Sequence, residues 1–271
     1  DKYMHLASVH LNLQNYDLAK QYQAKSLQLI EKHFKENSFL KGTYYRKLAV
    51  IYEKTNQYEL AEKNYLISIS IIEKLLGKRH PEVAQLVLEL ADFYEVFQEY
   101  DLALKTSQKA LISLNSTFSD SANYENPDVS TTLGKFDLLR IMRHKIRVLQ
   151  KSYSQNQKTE LLAALIESIN YSDKLIDLLN LHTHEYNDLI SLGNAAASIY
   201  DTGVKINFDK YDQSHDEHFL EKAFYFSEKS KSMALTSSIN QIQAKKTLLI
   251  PEEIKKNEKD LKSDKAYFEG L

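Results

Sequence analysis

The residues that could carry chemistry are few and scattered. Two pairs of histidines lie close together in sequence, His182 with His184 and His215 with His218. A spacing of two turns helical side chains away from each other, and a zinc site would still need third and fourth ligands that neither pair has nearby. We therefore interpret both pairs as solvated residues of loops and helix starts, and we predict no metal site.

The other reactive residue types support the same interpretation. The chain has no Cys, which excludes disulfides, thiolate metal sites and a cysteine nucleophile within it. Its six Gly are scattered singly, so no glycine-rich phosphate loop occurs. The adjacent carboxylates, Asp216 beside Glu217 and Glu252 beside Glu253, are typical of helix N-termini. We expect no catalytic residue and no cofactor in this chain.

The charge balance argues against two classes of partner. The chain has 37 acidic and 35 basic residues, with a formal charge of -2, which gives no general attraction to nucleic acid or anionic lipid. The lysines of residues 255–265 alternate with acidic residues, as on a solvated helix face. No apolar run approaches the ~18–20 residues of a membrane span. We expect neither nucleic-acid binding nor membrane insertion. The absence of Cys fits a reducing compartment, and we predict a cytoplasmic location.

A repeat of 42 residues organises the first part of the chain. Its clearest copy, residues 48–72, contains an apolar-striped helix, a polar turn at residues 55–57 and a second apolar-striped helix. The registers that recur three times are Leu6, Leu48 and Leu90; Ala7, Ala49 and Ala91; Tyr16, Tyr58 and Tyr100; Leu18, Leu60 and Leu102; and Ala19, Ala61 and Ala103. A fixed period of 20–50 residues is typical of solenoids built from stacked hairpins. The alanines fit this picture because two helices approach to ~8–10 Å only where the facing side chains are small.

The rest of the chain keeps the helical style with a looser period. We predict three regular units at about 1–36, 38–77 and 81–118, then helices at 128–154 and 159–181 and a last pair at 184–208 and 216–246. Gly77 should end a helix, and Pro81 and Pro127 should open helices. Residues 115–126 and 207–218 are predicted loops. The expected fold is an all-α, right-handed superhelical solenoid of about five hairpins plus a terminal helix, with a solenoid domain at 1–246 and a connector at 247–271.

The pattern Leu-Ala-x-x-Tyr followed by Tyr-x-x-Ala resembles the tetratricopeptide repeat. Its period of 42 rather than 34 is similar to the longer variant of kinesin light chains. The stretch from Gly77 through His80-Pro81-Glu82-Val83-Ala84 to Leu90-Ala91-Asp92-Phe93-Tyr94 resembles the inter-repeat sequence of that variant. This resemblance covers about residues 3–118.

A second resemblance covers the later part of the chain. Residues 219–224 (FLEKAF) and 226–231 (FSEKSK) look like the last repeat of bacterial tetratricopeptide proteins that end in a CHAT domain. Ile250-Pro251 and the charged segment with Glu258 and Leu261 are similar to the connector before that domain. The CHAT domain is a caspase-like peptidase fold with a catalytic His and Cys. The resemblance implies that this chain is the helical arm of a longer protein, and no catalytic residue carries over to it.

The predicted binding surface is the concave groove that the first helix of each hairpin lines. Side chains opposite the apolar stripe should face a ligand there. These predicted groove residues are Met4, Ser8, Leu11, Asn12, Arg46, Val50, Lys54, Leu88, Asp92, Glu95 and Val96. The asparagine that the kinesin-type groove resemblance would place before Leu48 and Leu90 is replaced by Lys47 and Glu89. The partner type of those relatives is therefore not transferred.

The function predicted from sequence is a non-enzymatic protein–protein interaction module. It would bind a peptide or protein segment in its groove, as an extended chain or as a helix. It would also regulate a caspase-like domain outside this chain. The alternative is a structural scaffold or dimerisation arm without a groove ligand, which light scattering would distinguish because a scaffold should self-associate.

Overall fold

The computed structural model describes residues 2–33, 38–119, 124–183 and 186–247, together with positions 253, 256–257 and 260–261. In these residues the regular structure is α-helical, which confirms the predicted all-α repeat fold. The helices are α1 (Lys2–Asn12), α2 (Tyr16–His33), α3 (Phe39–Lys54), α4 (Tyr58–Leu76), α5 (Pro81–Val96), α6 (Tyr100–Leu114), α7 (Lys135–Asn156), α8 (Thr159–His182), α9 (Tyr186–Ser214) and α10 (Glu217–Thr247). None of the described helices has the length and apolar character needed to cross a bilayer.

The chain divides into two compact units. Unit 1, Asp1–Leu179, contains the hairpins α1/α2, α3/α4 and α5/α6, then α7 and most of α8. Unit 2, Asn180–Leu271, contains the hairpin of α9 and α10. Most of the predicted connector at 247–271 lies outside the described residues.

The three regular hairpins share one turn geometry. Gln14, Asn56 and Gln98 lie at the same register of successive repeats and have positive φ angles of 60°, 54° and 63°. The residue after each of them donates its backbone N–H to the end of the preceding helix, as from Glu99 to the Tyr94 carbonyl at 2.9 Å. A left-handed residue at this point is a common way to end a helix and reverse the chain.

The repeated alanines lie where the helices pack most closely. The exposed fraction is 2% for Ala7 and 0% for the other five, which are Ala19, Ala49, Ala61, Ala91 and Ala103. A Cβ at Gly42 would lie 2.8 Å from Cγ1 of Ile72, so α3 and α4 also approach closely there.

The leucine register of the second helices differs from the sequence-based expectation. Leu18, Leu60 and Leu102 are 41%, 42% and 38% exposed instead of buried in the stripe. Each precedes a fully buried alanine, and neighbouring residues on a helix point ~100° apart. The alanine takes the inward direction, so the leucine is left at the edge of the packed face.

The first two predicted helix boundaries are confirmed. α4 ends at the C-cap Gly77, whose φ is 84°. α5 begins at Pro81, and the Nδ1 atom of the N-cap His80 accepts the backbone N–H of Glu82 at 3.1 Å. A cyclic residue at the first helical position and a positive-φ glycine after the last one fit the preferences of helix ends.

The predicted opening of a helix at Pro127 is wrong. A 3-10 turn at Val129–Thr131 follows it, and α7 begins at Lys135. The cause is Asn115, which is fully buried and pairs with Thr132 in an isolated antiparallel bridge. Its Nδ2 donates to the Asp128 carbonyl at 3.1 Å, and its Oδ1 accepts the Phe118 N–H at 2.8 Å. These bonds hold the connector in an extended path.

The predicted loop at residues 207–218 is also wrong, because α9 continues to Ser214. Asn207 is 5% exposed, and its Nδ2 donates to the Gly203 carbonyl at 2.8 Å, which satisfies its amide inside the helix. The chain reverses only at His215, which has a φ of 51°, and at Asp216. Polar composition alone therefore gave the wrong assignment.

A buried lysine ties the connector between α6 and α7 to the core of unit 1. Lys145 of α7 is fully buried, and its Nζ donates to the Glu125 carbonyl at 2.8 Å, to Asn126 Oδ1 at 3.1 Å and to Gln108 Oε1 at 3.4 Å. Burial lowers the pKa of Lys145 from 10.5 to about 7, against the opposing attraction of Glu167 and Glu125. The three N–H donors of the ammonium group meet three acceptors, but removing its charge from water still costs free energy of folding.

The turn geometry predicts the outcome of glycine substitution. Gln98→Gly should raise the free energy of unfolding by ~0.5–1 kcal/mol, because glycine adopts positive φ without strain. Gln98→Val should lower it by ~1 kcal/mol or more, since β-branched residues disfavour this region. Glu99→Gly, at a φ of -83°, is the matched control for adding a glycine nearby. Urea denaturation measures all three, and equal destabilisation by the two glycine variants would contradict the prediction.

The Lys145 environment predicts a pH dependence of stability. The pKa of about 7 in the folded state lies below the value of 10.5 expected for an unfolded lysine. Below pH ~7 Lys145 is protonated in both the folded and the unfolded state, so the folded state bears the whole cost of burying the charge. Between pH ~7 and ~10 the unfolded state binds more protons than the folded state. The free energy of unfolding therefore increases with pH in that range. The free energy of unfolding of the natural chain minus that of the Lys145→Met variant, taken at each pH, cancels the contributions of the other titrating groups. The difference should rise from pH ~7 to ~9.5, and a flat difference would contradict it.

Candidate functional site

The first helices of neighbouring hairpins are joined by polar contacts on the predicted groove side. Between α1 and α3, Lys47 Nζ donates to Ser8 Oγ at 2.6 Å. Between α3 and α5, the Arg46 guanidinium forms a two-point ion pair with Glu89, with Nε donating to Oε2 at 2.6 Å. Many groove charges therefore connect adjacent repeats.

The predicted groove residues fall into three groups in the structure. Met4 and Leu88 are buried, with exposed fractions of 5% and 4%, and Leu88 also lines the cleft between α5 and α7. Asn12, Lys54 and Val96 are exposed; Ser8, Leu11 and Val50 are half-buried. Arg46, Asp92 and Glu95 bind oppositely charged residues of a neighbouring helix.

Helix α7 supplies the residues of this surface that the sequence analysis missed. Its basic residues are Lys135, Arg140, Arg143, Lys145, Arg147 and Lys151, against a single acidic residue, Asp137. Arg140, Arg143, Arg147 and Lys151 recur at steps of three and four and so share one face. This spacing was visible in the sequence. The apolar stripe of the same segment does not reveal it.

The acidic face of α5 meets this basic face around Glu95, which is 6% exposed. Arg147 Nε donates to Glu95 Oε1 at 2.7 Å, and Lys151 Nζ donates to the same oxygen at 2.8 Å. Burial alone would raise the pKa of Glu95, but close polar contacts with His144, Arg147 and Lys151 outweigh it and hold the pKa well below its ordinary range. Glu95 is therefore an ionised carboxylate, and its ion pairs connect α5 to α7.

His144 of α7 completes a chain of polar groups from a carboxylate to a hydroxyl. Its Nε2 lies 3.2 Å from Glu95 Oε2 and 3.4 Å from Asp92 Oδ1, and its Nδ1 lies 2.8 Å from Ser107 Oγ. A Ser-His-carboxylate order resembles a nucleophilic triad. Ser107 is 0% exposed, so no substrate could reach its hydroxyl. We do not assign nucleophilic catalysis to this arrangement.

A cleft of about 190 Å³ opens between α5 and α7 beside this cluster. Its lining residues are Gln85, Leu88, Glu89, Asp92, Arg140, Arg143, His144 and Arg147. Glu89 and Asp92 are ion-paired with Arg46 and Arg147. Arg143 forms no ion pair with any residue in the described part of the chain, and Arg140 forms only an exposed pair with Asp137 at 2.9 Å. The cleft therefore has unneutralised positive charge in a chain that is slightly acidic as a whole.

Comparisons with known proteins agree with the repeat assignment. A family model described as tetratricopeptide repeat matches residues 1–66. The solved structure of BtubC (BKLC) from P. vanneervenii has a TM-score of 0.51 and 18% identity, covering 68% of this chain and 65% of that chain. This chain thus spans just under two thirds of that protein's length. No curated protein sequence matches significantly.

A putative kinesin light chain from Podosopora anserina with nearly identical TPR-like repeats has a TM-score of 0.54 and 14% identity, covering 84% of this chain and 95% of that chain. The structure of a single-substitution variant of that protein has the same score and identity, with coverage of 85% and 95%. At such identities the likeness shows the fold alone. Residues 1–66 therefore match the tetratricopeptide repeat, and the chain has an all-α repeat fold similar to that of kinesin light chain repeat proteins.

Proposed function

We propose that unit 1 binds an extended, acidic segment of a partner protein along α1, α3, α5 and α7. Tetratricopeptide repeats are in general protein–protein interaction modules, which supports the class of function. The observation that carries the proposal is the cleft between α5 and α7, where Arg143 has no ion-pair partner in the described residues and Arg140 has only an exposed one. An acidic side chain of the partner would insert there.

The internal pairing of the other charges determines which groove residues contribute to binding. Arg46 forms its ion pair with Glu89, so a partner carboxylate would have to compete with an existing bond. Lys54 has only an exposed contact with Glu53 at 3.3 Å, and exposed pairs contribute ~0–1 kcal/mol each. Affinity should therefore depend mainly on Arg143 and Arg140 in the partly enclosed cleft. Because the contact is between charges, it should weaken as salt rises.

We also propose that the chain is the recognition arm of a longer protein with a caspase-like domain. The support is the resemblance of residues 219–231 to the last repeat before a CHAT domain. These residues fall within α10, where Ala223 and Phe226 are 4% and 2% exposed and form part of a helical hairpin, as such a repeat would require. A His and a Cys in a caspase-like α/β pattern after Leu271 in the parent protein would support this proposal. A following sequence without them would contradict it.

Selection from a random peptide library displayed on phage, with the full chain immobilised, tests the binding proposal. Enriched peptides should be rich in Asp and Glu. Their affinity, measured by fluorescence anisotropy, should fall about tenfold or more for Arg143→Glu, since the change replaces an attraction with a repulsion. Lys109→Glu, an exposed lysine of α6, is the matched control and should have little effect.

Two outcomes would contradict the binding proposal. One is enrichment without acidic bias. The other is equal loss of affinity in the Arg143→Glu and Lys109→Glu variants, which would indicate a non-specific charge effect. Thermal unfolding of both variants checks that the fold is retained. Arg143→Glu is preferable to a change at Arg46, because a change there would also break the ion pair that links α3 to α5.

A further inference from the structure

We propose that Asp92, Glu95 and His144 form a site for a divalent transition-metal ion such as Zn²⁺. This proposal does not rest on peptide binding, although Asp92 and His144 also line the cleft between α5 and α7. One ligand atom from each residue lies within 4.8 Å of the others. Two carboxylates and one imidazole are a donor set that suits borderline first-row metals better than Ca²⁺ or Mg²⁺. The site would leave coordination positions for water on the side of the cleft.

The spacing of the donor atoms fits a metal centre. Nε2 of His144 lies 3.2 Å from Glu95 Oε2 and 3.4 Å from Asp92 Oδ1. For metal–ligand bonds of ~2.1 Å, donors at tetrahedral or octahedral angles lie ~3.0–3.4 Å apart. Both carboxylate oxygens therefore lie at such a distance from Nε2, and all three donor atoms lie within 4.8 Å of one another.

The surroundings of His144 supply a second, independent observation. Its side chain is 3% exposed, and its Nε2 is close to both carboxylates yet has hydrogen-bond geometry to no group in the described residues. On its other side, Ser107 Oγ donates to the Ala103 carbonyl at 2.8 Å, so the 2.8 Å contact with Nδ1 is best satisfied by an Nδ1–H donor. Nε2 is therefore the ring nitrogen that faces the two carboxylates. A hydrogen bond that fixes the far nitrogen is also how proteins orient a metal-bound histidine.

The guanidinium of Arg147 now occupies the neighbourhood of the two carboxylates. Its Nη2 lies 2.6 Å from Glu95 Oε2 and 2.8 Å from Asp92 Oδ1, the same oxygens that face Nε2. The Arg147 side chain is 42% exposed, so it can turn towards solvent. Metal binding would then replace one cation with another. Because the ion must compete with Arg147, removal of this arginine should strengthen metal binding, whereas removal of a residue that only supported the fold would not.

Titration of the chelator-treated full chain with Zn²⁺ by calorimetry, and with Co²⁺ by visible absorption, tests the site. One equivalent should bind, and Co²⁺ should report a site with imidazole and carboxylate donors. His144→Gln and Asp92→Asn should each weaken Zn²⁺ about tenfold or more. Arg147→Gln should tighten it several-fold. His218→Gln, an exposed histidine in unit 2, should leave the stoichiometry unchanged.

The controls keep each result decisive. Circular dichroism and thermal unfolding without metal show whether each variant folds; if His144→Gln does not, Asp92→Asn replaces it, since the Asp92 side chain is 50% exposed. Absence of stoichiometric Zn²⁺ binding in both the natural chain and Arg147→Gln overturns the site. The site is also overturned if His218→Gln abolishes Zn²⁺ binding, or if His144→Gln and Asp92→Asn leave Zn²⁺ binding intact.

Discussion

The close approach of paired helices at small side chains is the constraint on which the rest of unit 1 depends. Ala49, Ala61, Ala91 and Ala103 are all completely buried, and they recur at the 42-residue period. A larger side chain at any of them would force the two helices of a hairpin apart. Since the second helix of each hairpin packs against the first helix of the next, as α2 does against α3 and α4 against α5, the spacing within hairpins also determines the spacing of α3, α5 and α7.

Once that spacing is set, charge connects the neighbouring repeats. α3 contributes Arg46, α5 contributes Glu89 and Glu95, and α7 contributes Arg147, so basic and acidic residues alternate from one of these helices to the next. Most of the charged side chains that were predicted to contact a ligand are therefore already ion-paired within the protein. Two features remain: the cationic cleft around Arg143, and the cluster of His144 with two carboxylates. One fits an anionic partner and the other a metal cation, although they share a wall.

Local patterns were enough to predict the hairpins but not the contacts between them. The alanine registers and the signals at Gly77 and Pro81 act within a few residues, so the sequence reveals them directly. The Arg147–Glu95 and His144–Asp92 contacts join positions about fifty residues apart and depend on how α5 and α7 are placed. Metal ligands that are close together in sequence, such as the pairs that include His182 and His215, do not point to these contacts. His182 and His215 are exposed in the structure.

The errors in the predicted elements have the same origin. Polar residues at 207–218 indicated a loop, yet Asn207 satisfies its amide within α9. Pro127 indicated a helix start, yet the buried Asn115 holds the chain extended until Lys135. In both cases hydrogen bonds of a buried amide outweighed the local preference. Such bonds cannot be predicted without knowing which side chains are buried.

The most direct test of this account is the unfolding free energy of Ala61→Leu beside that of Leu60→Ala, measured by urea denaturation of the full chain. Ala61 is 0% exposed and Leu60 is 42% exposed, although they are adjacent in sequence. The account predicts that Ala61→Leu lowers the unfolding free energy by ~1–3 kcal/mol through overpacking, and that Leu60→Ala costs less. An Ala61→Leu protein as stable as the natural chain, or a larger loss in Leu60→Ala, would contradict it.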